Sequence, residues 1–129
     1  MQYKDLILAM SLIAANVGEQ KTKTQKKLVK IHEQLKKHYD VYSEKLQELR
    51  LDNASVDKDN NLILDEKGEY KFSKEGLKKL NEAAKDLINQ EFEFKPIDVM
   101  NPEGLEFHTY LKGWLNGVNF IENEEVIDL

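Results

Sequence analysis

The stretch Asp57-Lys-Asp-Asn-Asn-Leu-Ile-Leu-Asp-Glu-Lys-Gly-Glu-Tyr-Lys-Phe72 reads either as a calcium loop or as a β-hairpin. A calcium loop of the EF-hand kind needs oxygen ligands at positions 1, 3 and 5, glycine at 6 and a bidentate glutamate at 12. Counted from Asp57, the ligands Asp57, Asp59 and Asn61 fit, but position 6 is Leu62 and position 12 is Gly68. Leucine resists the sharp turn that glycine makes, and Gly68 has no carboxylate. The flanks are those of strands. A strand Asn61–Leu64, a turn through Asp65–Gly68 and a strand Glu69–Phe72 account for the whole stretch. A lone hairpin is marginal in water, so it needs a helix or a third strand to support it.

Downstream, Glu91–Val99 offers that third strand. Phe92 and Phe94 alternate with Glu91 and Glu93, and Pro96 marks an edge or a strand end. Between hairpin and strand, Ser73 is a good N-cap for a helix whose apolar stripe is Leu77, Leu80, Ala84, Leu87 and Ile88. After the strand, Asn101 as cap and Pro102 at the first helical position open a short last helix. Leu105, Tyr110, Leu111, Trp114 and Leu115 give it apolar mass, while Gly104, Gly113 and Gly117 weaken it.

Upstream, a helix is expected over Tyr3–Val17, with Leu6, Ile7, Met10, Ile13, Ala14 and Val17 on one face and Gly18 as its C-cap. Its apolar run falls short of the roughly 20 residues of a membrane span, so no membrane partner is expected. A second helix, capped by Thr22 or Thr24, meets no proline or glycine before Asp52. About thirty residues at 1.5 Å each would make it about 45 Å long. Leu28, Ile31, Leu35, Tyr39, Tyr42, Leu46 and Leu49 recur at a mean spacing near 3.5, a coiled-coil-like seam for one partner helix. That partner is the first helix folded back, or a second chain. The expected fold is therefore α+β and mostly helical. It has a long helical hairpin, a small antiparallel three-stranded sheet and two shorter helices, in one domain over 1–121 with an acidic tail, 122–129.

Composition supports a globular chain of one core. The 129 residues are 40% hydrophobic and 33% charged, with a net charge of −5 and no cysteine. Disulfides, thiolate metal sites and cysteine nucleophiles are excluded, which fits an intracellular or virion setting. Charge is unevenly spread. Residues 21–50 carry nine Lys/Arg against four Asp/Glu, and residues 51–129 carry nine against eighteen. Such asymmetry favours attraction within or between molecules.

Catalytic signatures are missing. His32 and His38 are six apart, the wrong spacing for a shared helical face, and His108 has no identifiable partner. No G-x-S-x-G, glycine-rich phosphate loop or C-x-x-C occurs. Glu91 and Glu93 read as a solvated strand face. No enzyme, cofactor or metal is expected. Lys23, Lys26, Lys27 and Lys30, with Lys21, Lys36 and Lys37, could track phosphates, but no aromatic residue lies among the N-terminal lysines to stack on bases. Leu35, Tyr39, Tyr42 and Leu46 of the seam, with Tyr110 and Trp114, are the expected partner-binding residues, since Tyr and Trp anchor many interfaces.

The order of "YKDLILAM", the lysine-rich "KKLVKIHEQLKKHYDVYSEKLQELR", the hairpin–helix–strand run ending "EFEFKPIDV" and "NPEGL" resembles a family of small tailed-phage and prophage proteins of unknown function. The resemblance covers most of residues 1–121; the end "GWLNGVNFIENEEVIDL" departs from it. It transfers no functional residue. It implies a phage-encoded protein acting in the virion or in the host bacterial cytoplasm. The expected function is non-enzymatic protein–protein interaction with itself or another phage or host protein, as a virion or assembly component. The alternatives are an accessory factor that inhibits a host defence, as a protein inhibitor or ligand sponge, and a nucleic-acid-binding protein.

Overall fold

The computed structural model describes residues 1–100 and 104–121. The chain divides into two compact units, Met1–Tyr39 with Glu91–Leu129, and Asp40–Gln90. Three helices dominate: α1 Tyr3–Asn16, α2 Thr22–Asn53 and α3 Lys74–Ile88. The 32-residue α2 supplies residues to both units.

In the first unit, α1 starts where the Gln2 amide donates to the Asp5 carboxylate at 3.0 Å. Tyr3, Leu6, Ala9, Leu12 and Ile13 of α1 are buried, as are Leu28, Ile31 and Leu35 of α2. The buried stripe of α1 is turned from the expected one: Ala14 is exposed, and Ile7, Met10 and Val17 are half-buried. Asn16 is buried instead, its side-chain amide donating to the Leu12 carbonyl at 2.9 Å. The expected C-cap at Gly18 is not formed. A 3-10 turn, Val17–Glu19, continues the chain, and Gly18 is absent from the positive-φ glycines.

The alternation in Glu91–Phe94 holds: both glutamates are exposed and both phenylalanines half-buried. Its pairing differs from the three-stranded antiparallel sheet expected. Glu91 bridges antiparallel to Gln2, and the Phe92 amide donates to the Met1 carbonyl at 2.8 Å. The described residues of this unit also form two short parallel ladders. Strand β1 Ile97–Asp98 lies beside β3 Leu115–Asn116, and β2 Glu106–Phe107 lies beside β4 Asn119–Phe120. These strands and a 3-10 turn, Thr109–Leu111, replace the expected last helix. Gly113 (φ 86°) and Gly117 (φ 73°) turn the chain in the left-handed region, where a right-handed helix cannot continue. Asn101 and Pro102, the expected cap, and the tail 122–129 lie outside the described residues.

In the second unit the expected turn is present, its flanks joined at an isolated antiparallel bridge and not as the two strands expected, and it is one of a pair. Leu64 bridges Tyr70 across the expected turn, and Val56 bridges Leu62 across a second turn just before it. The Asp57 carboxylate accepts the amides of Asp59 and Asn61, at 2.8 and 3.0 Å. Eight residues on, the Asp65 carboxylate accepts those of Lys67 and Glu69 at the same distances. Asn60 (φ 64°) and Gly68 (φ 78°) occupy matching left-handed positions. Asp57 thus serves as a turn-former of the Asx kind. Eight residues further still, Ser73 Oγ accepts the Gly76 amide at 3.0 Å and caps α3.

The three segments between these caps close on one another. Ser55 N–H donates to Lys71 C=O, Lys71 N–H to Ile63 C=O, and Ile63 N–H to Ser55 C=O, at 2.8, 3.0 and 3.1 Å. This ring is why the hairpin stands without a further strand: the central amides and carbonyls are already paired.

Candidate functional site

The residues expected to bind a partner differ in exposure. Leu35 has no exposure, Tyr42 is buried and Leu46 is half-buried. Trp114 is also buried, its ring 4.8 Å from Phe94 in an edge contact. Tyr3, Phe92, His38 and Phe94 extend this cluster, with His38 at 5.2 and 5.4 Å from the two phenylalanine rings. Trp114 thus contributes to packing within the first unit. Tyr110 is half-buried and stacked on His108, and Tyr39 is exposed. The spacing located the seam but not which stretches of it are covered.

Lys23, Lys26 and Lys30 are exposed on α2; Lys27 is half-buried, its ammonium donating to the Met100 carbonyl. The three histidines lie apart. His38 sits among the phenylalanines, His108 contacts Gln20 and Tyr110, and His32 borders a small apolar pocket with Val29 and residues of α1. Among the described residues, no cluster of three or more His, Asp or Glu is placed to hold a metal ion. No helix among them is long and apolar enough to cross a membrane.

The surface that sequence reasoning missed lies on the second unit. Leu62 and Leu64, two apart, each form an antiparallel bridge, and side chains two apart in extended chain share a face. Cross-strand partners Val56 and Tyr70 extend that face to either side. Val56 is 47% exposed, Leu62 41% and Leu64 51%. Of the ten large hydrophobic residues exposed among the described ones, six lie in the 51 residues of this unit, with Val41, Leu51 and Leu77 completing the set. A groove of about 650 Å³ runs beside the turns, lined by Gln47 and Arg50 of α2 and by Leu64, Glu69, Tyr70 and Phe72. Gln47 donates to the Tyr70 hydroxyl at 3.0 Å, which fixes the ring at its wall. The available signal was the eight-residue repetition of an apolar residue before each cap, in Val56-Asp57, Leu64-Asp65 and Phe72-Ser73.

No family model, curated protein or solved structure matches this chain.

Proposed function

We propose that this protein is a non-enzymatic interaction module of a tailed phage, a virion or assembly component that binds a protein through the second unit. The carrying observation is the apolar face of Val56, Leu62 and Leu64, left open on paired turns whose backbone is already satisfied. Adjacent exposed apolar side chains mark contact surfaces more often than isolated ones do. Arg50 and Glu69 at the neighbouring groove supply polar contacts around such a face.

The test is a pair of substitutions, Leu62→Asp and Leu64→Asp, in the full chain. Light scattering gives the mass in solution, and affinity capture from phage-infected cells gives the partner. The reading expects an unchanged circular dichroism spectrum with loss of self-association or of one specific captured phage protein. Retention of both by the double variant refutes it.

A second reading rests on the groove itself. Arg50 beside Tyr70 and Phe72 offers a cation and two rings to a small anionic aromatic ligand, as a sponge countering a host defence would require. A small molecule that co-purifies with the intact chain, and is lost in Arg50→Ala, would favour it.

A further inference from the structure

The long helix α2 changes charge along its length. Residues 22–39 carry six lysines and one glutamate, and residues 40–53 carry two cations and four carboxylates. Near the start, Lys23, Lys26 and Lys30 recur three and four apart and so share one face. All three are exposed, and Val29, three residues after Lys26, is 51% exposed beside them. In the second unit, α2 and α3 enclose a groove of about 440 Å³ lined by Glu48, Leu49, Asp52, Ala83, Asp86 and Leu87. Leu87 is buried, Leu49 and Ala83 are half-buried, and all three carboxylates are exposed, so an apolar floor has an acidic rim. Neither the three lysines nor the three carboxylates form an ion pair with a described residue.

Both stretches belong to one continuous helix, and a helix cannot lay one of its turns against another. Their attraction is met between molecules. We propose that the lysine face of one copy docks in the α2–α3 groove of a second copy, with Lys26 and Lys30 opposite Glu48 and Asp52 and with Val29 over Leu49 and Leu87. Spacing and chemistry agree. Each charged pair is four residues apart, about 6 Å along a helix at 1.5 Å per residue, so the two rows match. The exposed ion pairs set orientation and salt dependence, and covering Val29 removes apolar surface from water. Lys45, also at the groove, already makes an interaction of its own. Glu33 on the docking helix has Lys37 four residues on to offset its charge. The lysine face and the groove are made of different residues, so the contact is heterologous, and its repetition builds rings or open chains. It uses none of Val56, Leu62 and Leu64, and so does not rest on the reading proposed above.

Light scattering of the full chain at about 0.05 M salt is expected to give a mass above the 15.0 kDa of one chain. That mass should rise with protein concentration and fall back to one chain at about 1 M salt, where screening is short-ranged. Lys26→Glu/Lys30→Glu and Glu48→Lys/Asp52→Lys change exposed positions only, and each alone should weaken association at least about ten-fold. An equimolar mixture of the two should recover it, because each reversed surface then meets its complement on the other chain. A folding defect would not be rescued in this way. Leu62→Asp/Leu64→Asp should keep the salt-sensitive mass, so loss of a captured protein in that variant is read separately from loss of self-association here. A single-chain mass at every concentration overturns the proposal, as does association that both charge variants retain or that their mixture fails to restore. A single-chain mass that rises only when a short duplex DNA is added would assign the lysine face to a polyanion and overturn it as well.

Discussion

Gly76 sits at the third position of α3, where Ser73 caps its amide. A methyl group built on it would lie 2.5 Å from the Asn53 carbonyl oxygen and 3.1 Å from Ser73 Oγ. The first contact is with backbone at the end of α2, and Asn53 is further tied by its side-chain amide to the Leu49 carbonyl at 2.8 Å. Neither atom is the free end of a flexible side chain. Glycine to alanine inside a helix gains up to about 1 kcal/mol from propensity. Forcing an extra methyl into a filled space costs about 1–3 kcal/mol, and a carbonyl this close places the cost at the upper end. Gly76→Ala should therefore destabilise by about 1–2 kcal/mol net. Urea unfolding followed by far-ultraviolet circular dichroism reads the shift in midpoint at constant slope. Gly18→Ala, with nothing within 4 Å of the added methyl, is the control and should be neutral or slightly stabilising. Equal stability of the Gly76 variant and wild type would refute the close approach of α3 to the end of α2.

Leu35, fully buried in α2, should cost about 2–5 kcal/mol as Leu35→Ala, read in the same unfolding assay. Asp65→Ala removes one acceptor from two backbone amides and should cost about 1 kcal/mol, as helix caps do, with Asp65→Asn recovering most of it. Calcium at millimolar concentration should leave the thermal midpoint unchanged, because Asp57 is engaged with the amides of its own turn; a rise of several degrees would reinstate the calcium loop.

The helices were legible because periodicity is strong where one face is buried. Leu28, Ile31 and Leu35 report it in α2, and Ser73 announces α3 by its chemistry alone. The hairpin was legible from the failure of the calcium pattern at Leu62 and Gly68. What sequence did not reveal is long-range pairing. Glu91 pairs with Gln2 across 89 positions, and nothing local to either residue selects that partner. The last helix was overestimated because glycine was weighed as a weak helix former, whereas Gly113 and Gly117 take conformations outside any right-handed helix. Interface residues suffered from a related ambiguity. Tyr42 and Trp114 have the composition of hot spots and the burial of a core, and pattern alone does not separate the two.

The ring of Ser55, Ile63 and Lys71 also bears on how the chain reaches its fold. Its bonds join residues eight and sixteen apart, so closing it takes little loop entropy. Hairpins of this size form in about 1–10 μs, far ahead of pairings that must gather distant segments. Once closed, the ring fixes Lys71 two residues before Ser73 and so sets where α3 begins. The tandem turns are placed to act as a folding nucleus for the second unit, and substitutions at Asp57 and Asp65 should slow its folding more than they speed its unfolding.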